Sequence, residues 1–311
     1  STGLRHADIW NLCNNHIMDA GQDGLALTLQ EAKKFGAKTI GVGMNMTEAA
    51  RPLILDEAGG IGLFAVGYQR GCKPAGEDKG GCLSWSEMEV IRSVIQEIKA
   101  KCRWCVVVAH GGEEFTAIPS PYTRERYHAY LEMGADLVVC HHPHVPMNYE
   151  TVGDKMIFYS LGNFIFDTDY QRAQFNTEKG ILLKLHFTED SYSFEAFGLK
   201  INRENEHIES APLPRIFADI QENDYNKLEP LAAKMFLAAT KRQQLFLYPD
   251  KFKDATEEQW KAHFYEEKRS GRVPGEALDF QIIYPIAQEE AKGAWKTCKL
   301  EDVKAYILEQ M

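Results

Sequence analysis

The chain has 311 residues, of which 44% are hydrophobic, 26% charged and 11% aromatic, an ordinary globular composition that excludes disordered, collagenous and disulfide-scaffold classes. Lys and Arg total 35 against 45 Asp and Glu, so the net charge of −10 at pH 7 repels polyanions and argues against a nucleic-acid partner. No apolar run approaches the roughly 20 residues that span a bilayer.

The seven scattered cysteines fit buried thiols in a reducing compartment better than a secreted bridge framework. No export signal is readable after Ser1. Both points favour a cytoplasmic location, with a cell-surface one open if an upstream segment has been lost.

From Ala7 to about Ile201 short apolar runs alternate with amphipathic stretches, the pattern of an α/β layered core. Ala7 to Cys13 reads as a buried strand. Gln22 to Phe35 reads as a helix with Leu25, Leu29, Ala32 and Phe35 on one face, followed by a strand from Lys38 to Val42. Leu53 to Asp56 and Ile61 to Gly67 form a predicted hairpin around Gly59-Gly60, and a Gly-rich loop follows. Ser84-Trp-Ser-Glu has capping-box spacing ahead of a stripe formed by Trp85, Met88, Ile91, Val94, Ile95 and Ile98.

Strand Cys105 to Ala109 delivers His110-Gly111-Gly112, and Ser120 with Pro121 opens a helix that stops at Gly134. Strand Asp136 to Cys140 then leads into His141-His142-Pro143-His144. Further strands are predicted at Val145 to Thr151, Met156 to Ser160, Gly180 to Phe187 and Phe194 to Ile201, the last two as an antiparallel, half-exposed pair. After about Asn205 the texture becomes charged and helix-forming, with a Thr256 to Gln259 capping box before Trp260 to Lys268. Only Phe280 to Ile286 resembles a strand there. The division read from this is an α/β (α+β) domain over 1–213 and a mainly helical extension over 214–311.

Three segments place imidazole or amide groups just after strand ends, where α/β proteins build their sites: Asn14-Asn15-His16, His110-Gly111-Gly112-Glu113-Glu114, and His142-Pro143-His144. Neutral imidazole is a common ligand for zinc, iron and manganese, and Pro143 stiffens the turn between two of these side chains. The blander alternatives are a hydrogen-bonded turn for the His142/His144 pair, a satisfied polar residue for His110 and a loop former for Asn15-His16. Cys102-Arg-Trp-Cys105 has redox spacing but sits at a helix-to-strand junction and has no second pair. Gly41-Val-Gly43 lacks a third glycine.

Taken together, NNHIMDAGQDGLALTLQEAKKFGAKTIGVGMN, VVVAHGGEEFTAIPSPYTRER, GADLVVCHHPHV and IFYSLGNFIFDT resemble the bacterial capsule-synthesis family of the CapA or PgsA type, associated with poly-γ-glutamate, over about residues 6 to 200. That family is similar to calcineurin-like metallophosphoesterases. The resemblance implies a metallophosphatase-like four-layer αββα sandwich, here lacking its first strands, with two divalent ions (Mn, Fe or Zn) activating water. By position, Asn15, His110 and His142 would hold one ion and His144 the other. His16 would assist the leaving group with Asp19 as its partner, and Glu114, His141, Asn163 and Asp167 are further candidates without an assigned role. The family's Gly-Asp motif and Asn-Leu-Glu segment, which bring acidic ligands, have no counterpart in this sequence.

The function implied is a metal-dependent hydrolase or transferase in poly-γ-glutamate synthesis or processing. It would act on an anionic polymer or a small phosphorylated or acyl substrate, alongside capsule-synthesis proteins. A non-catalytic polymer- or partner-binding module and a small-molecule metallophosphoesterase are the alternatives.

Overall fold

The computed structural model describes residues 8–68 and 71–269. Its centre is a six-stranded sheet in the order β4 (Leu53–Leu55), β5 (Ile61–Gly67), β7 (Trp104–His110), β8 (Leu137–His141), β10 (Lys155–Phe158), β9 (Tyr149–Val152). The four inner strands are parallel, and the two edges are closed by antiparallel hairpin partners. The β4–β5 connection carries the expected positive φ at Gly59 and Gly60.

Strands buried on both faces must be apolar at consecutive positions, which is why Cys105 to Ala109 reads as an unbroken run. Val107 and Ala109 face a core shared with α3 (Met88–Lys99) and α4 (Pro121–Met133). Trp104 and Val106 face the opposite side, against Leu183, Leu185 and Phe194. Those residues belong to the antiparallel sheet β11 (Lys179–Phe187), β12 (Tyr192–Asn202) and β13 (His207–Ala211). Helix α3 inserts Ile91, Val94, Ile95 and Ile98, each fully or almost fully buried and contributing about 1.5–3 kcal/mol. Gly62 admits that stripe, since a β-carbon there would lie 2.3 Å from Ile98.

A second, smaller unit lies on the same side of the central sheet as β11–β13. Strands β1 (Ile9–Asn11) and β2 (Lys38–Ile40) pair in parallel, and α1 (Gly21–Lys34) packs Leu25 and Leu29 into their core with Ile40 and Ala65. The chain then bends at Gly41, φ 84°, before β3 (Val42–Gly43), which pairs with β6 (Gly81–Cys82). Helix α2 (Met46–Ala49) follows β3. Among the described residues the layers therefore run helix, sheet, sheet, with α1 packed beside β1–β2. The outer face of β11–β12 leaves Leu182, Lys184, Glu195 and Phe197 exposed.

Several expectations are corrected. The Ser84 capping box does not form. Ser84 bridges Gly67, Trp85 N–H donates to the Gly67 carbonyl, and the helix starts four residues later, after Glu87. Tertiary pairing to β5 holds this stretch extended. Phe35 is 64% exposed rather than buried, and the strand expected over Lys38 to Val42 is split in two by Gly41. The expected strand Val145 to Thr151 begins only at Tyr149.

The α4 reading holds in detail: the Ser120 hydroxyl accepts from Thr123 N–H, Pro121 opens the helix and Gly134 closes it in the left-handed region. Cys102 and Cys105 flank the α3–β7 junction, both buried. The short α5 (Asp169–Arg172) precedes β11, and beyond β13 the described elements are α6 (Glu222–Leu247), α7 (Pro249–Phe252) and α8 (Glu257–Arg269). The Thr256/Gln259 capping box forms reciprocally at the start of α8. The strand expected at Phe280 to Ile286 lies outside the described residues. No helix among the described residues is long and apolar enough to cross a membrane.

Candidate metal centre

Parallel strands β7 and β8 end side by side, with His110 opposite His141 in the ladder. The two loops that leave them converge. His110 meets His141 edge-on at 4.8 Å and lies tilted to His142 at 4.7 Å between ring centroids, and His142 lies 5.8 Å from His144. His142 and His144 adopt φ values of 127° and 63°, a region L side chains rarely enter, with Pro143 locked between them. Backbone strain of this kind persists only where the surroundings impose it. Here Gly111 and Gly112 make the room: a β-carbon on Gly111 would meet the Trp85 ring at 2.5 Å, and Gly112 needs φ 110°.

Glu114 completes the cluster. One ligand atom each from Glu114, His142 and His144 lies within 4.8 Å of the other two. Glu114 Oε2 accepts from Gln243 Nε2 at 2.8 Å, so helix α6 reaches the same point. His144 Nδ1 is 2.9 Å from Asn163 Oδ1. Asn163 donates from Nδ2 to the Thr177 carbonyl and to Gln171 Oε1, which turns its oxygen toward His144; that proton assignment leaves the Nε2 lone pair of His144 available.

A polar chain extends outward from His110. Its Nε2 meets Asn15 Oδ1 at 2.9 Å, Asn15 Nδ2 meets His16 Nε2 at 3.2 Å, and His16 Nδ1 meets Asp19 Oδ2 at 2.8 Å. His16 and Asp19 stand at the exposed rim, whereas His110 and His142 are buried. Asn11, unsuspected from sequence, holds His141 through a 3.3 Å contact from its Nδ2 to Nε2.

Burial, reinforced by the neighbouring imidazoles, pushes His110 and His142 well below the ordinary histidine value. His141 is lowered to about 4 by the same causes, and burial lowers His144. The rings are therefore neutral at physiological pH and carry free lone pairs. Nδ1 of His110 and Nδ1 of His142 are buried without a hydrogen-bond partner. Separately, His142 Nε2 stands 3.6 Å from Glu114 Oε1, and imidazole with carboxylate is a donor set that fits a divalent cation of the zinc, iron or manganese type.

Of the sequence candidates, Asn15, His16, Asp19, His110, Glu114, His141, His142, His144 and Asn163 lie in one connected neighbourhood. Asp167 does not join it: Oδ2 pairs with Arg172 at 3.0 Å and Oδ1 with Arg203 at 2.9 Å, an ion-pair role. Sequence reasoning missed Tyr68, whose ring lies 4.5 Å from that of His142, and Phe115 and Phe166, which stack on His144. The position of Tyr68 directly after β5 was a usable signal. Gln243 had none, since nothing in a long helix announces which turn will meet a distant loop.

Similarity to known proteins follows the same segment. The chain is 32% identical over 170 residues to "PGA biosynthesis protein CapA" of Bacillus subtilis (strain 168), covering 53% of this chain and 44% of that protein. It is 28% identical to "Capsule biosynthesis protein CapA" of Bacillus anthracis over 58% of this chain and 44% of that protein. It is 25% identical to "Probable polyglutamine synthesis accessory protein Rv0574c" of Mycobacterium tuberculosis (strain ATCC 25618 / H37Rv) over 50% of this chain and 44% of that protein. The matched region thus spans less than half the length of these relatives. Residues 4–168, more than half of the chain, match the family described as "Bacterial capsule synthesis protein PGA_cap", and the chain belongs to that family.

Proposed function

We propose that this protein is a divalent-metal-dependent hydrolase or transferase acting in the synthesis or processing of a poly-γ-glutamate-type polymer, on a metallophosphatase-like sandwich. The convergence of Glu114, His142 and His144 from two strand-end loops carries the reading, and the relatives' printed names supply the polymer class.

Glu114, His142 and His144 would hold one ion, and His110 with Asn15 form the flank for a second. When bound, such ions polarise the electrophile and activate water. The chain's own residues do the rest. Asn163 fixes the His144 ring, and Glu114 supplies a carboxylate to the site. His16, held through Nδ1 by Asp19 and through Nε2 by the Asn15 amide, faces solvent at the rim, where it would assist the leaving group. Phosphoester, amide and acyl phosphate bonds are all within the reach of this chemistry.

The test is elemental analysis and hydrolysis assays, with added manganese, on poly-γ-glutamate and on phosphomonoesters and diesters. Loss of metal and activity in His142→Ala and His144→Ala is expected; full metal content in both variants overturns the reading. The substrate panel separates polymer processing from a small-molecule phosphoesterase. One observation favours a second reading: Gln243 already occupies Glu114 Oε2, as it would in a non-catalytic polymer- or partner-binding module whose site is closed by its own helix. Metal binding without turnover on any of these substrates selects it.

A further inference from the structure

The six described cysteines are all buried, and three of them meet. Sγ atoms of Cys13, Cys72 and Cys82 lie within 4.8 Å of one another, with none of the three side chains reaching solvent. They arrive from three separate places: Cys13 after β1, Cys72 after β5, and Cys82 at the end of β6. We propose that these three thiols form a second metal site, distinct from the histidine cluster, that takes a soft d10 ion, zinc(II) or copper(I).

The spacing fits one ion. Three thiolates at about 2.3 Å from a common centre stand roughly 3.8 Å apart at tetrahedral angles, so closing the trio on an ion needs shifts of an ångström or less. No carboxylate or imidazole joins the group among the described residues, and an all-sulfur set selects thiophilic ions over magnesium, calcium or manganese. Two backbone oxygens stand beside it: the Asn14 carbonyl, 3.8 Å from Cys82 Sγ, and the His110 carbonyl, 4.0 Å from Cys72 Sγ. Either offers a fourth donor.

The surrounding backbone is shaped for the sulfurs. A β-carbon on Gly67 would lie 2.5 Å from Cys72 Sγ and 2.9 Å from Cys13 Sγ, and one on Gly41 would lie 2.6 Å from Cys13 Cβ. Glycine at both positions lets two strand ends close on the trio. A disulfide accounts for the arrangement less well, since it joins two sulfurs at about 2.05 Å and strands the third thiol in an apolar pocket. Binding replaces the thiol protons by the ion and releases them to solvent.

Such a site would tie the loop that begins Asn14-Asn15-His16 to the ends of β5 and β6, directly below His110. Cadmium titration of the reduced, chelator-stripped full chain tests it. One equivalent of Cd(II) is expected to produce the ultraviolet thiolate-to-cadmium band in the wild type and in His142→Ala/His144→Ala, but not in Cys72→Ser or Cys82→Ser. Because a serine variant can fail to fold, differential alkylation of the wild type runs alongside. Zinc should slow labelling of Cys13, Cys72 and Cys82 at least tenfold and leave Cys102 unchanged. Native mass spectrometry of the purified protein tells zinc from copper, and stripping the ion should lower the melting midpoint by roughly 5 °C. The proposal is overturned by a wild type with no thiolate band, by equal labelling with and without zinc, or by a disulfide between two of the three that persists in added zinc.

Discussion

Glu114 Oε1 lies 3.6 Å from His142 Nε2, although one residue follows β7 and the other follows β8. The pair is the point at which two loops distant in sequence meet. It also places an acidic group, Glu114, which the sequence offered without an assigned role, beside histidines expected to hold metal.

Glu114→Gln keeps the shape and the contact to Gln243 while removing the charge. Manganese or zinc affinity at the histidine site should fall at least about tenfold, since losing even an outer partner of a ligand costs that much. Calorimetric titration of the stripped protein measures it, and unchanged affinity removes Glu114 from the site.

Asn163 acts one step back. Asn163→Ala frees His144 to rotate and change tautomer, so metal affinity should drop by about 10–100-fold. Stability should fall by about 1–3 kcal/mol as the Thr177 carbonyl and Gln171 lose their donor. Titration of the metal against urea unfolding of the same variant separates the two effects.

Glu113, next to Glu114, is buried for another reason: its carboxylate accepts from Ser120 N–H, Ser120 Oγ and Thr123 Oγ1, clamping the start of α4 under the site loop. Glu113→Ala leaves three donors unsatisfied at about 1–3 kcal/mol each, whereas Ser120→Ala, which loses the cap and one hydrogen bond to the carboxylate, should cost about 2 kcal/mol. Equilibrium unfolding of both variants checks the ratio.

The buried histidines set the acid limit of the metal-free protein. Their folded values lie below the ordinary 6.5, at about 4 for His141, so the unfolded chain takes up protons first as the pH falls. Stability is therefore full above about pH 6.5 and declines from there toward pH 4. Burial raises Glu150, but hydrogen bonds from His128, Arg124 and Tyr159 outweigh it and hold the group at about 2, which adds a further loss between about pH 4.3 and 2. Thermal midpoints across pH 3 to 8 should show both limbs, and His142→Ala should flatten the first.

How far the sequence reaches depends on the kind of signal. The Ser120-Pro121 start of α4 and the alternation of β11 and β12 are local patterns, and local patterns survive folding. The His142-Pro143-His144 turn was legible because both partners of the cluster sit in one tripeptide. Ser84 misled because a capping motif is a local preference and pairing with Gly67 is a tertiary contact that overrides it. Cys13, Cys72 and Cys82 looked scattered because their association depends on where β1, β5 and β6 end, which spacing alone does not encode. Asp167 shows the converse: a polar residue in a recognisable motif that folding assigns to two arginines.

The ladder pairing of His110 with His141 has a consequence for folding. Side chains along a strand alternate between faces, so sliding β8 by one position against β7 would send His142 to the opposite side and dissolve the donor cluster. If the cluster takes the proposed cation, binding would favour the correctly aligned chain by mass action, because a misaligned one would gain nothing from the ion.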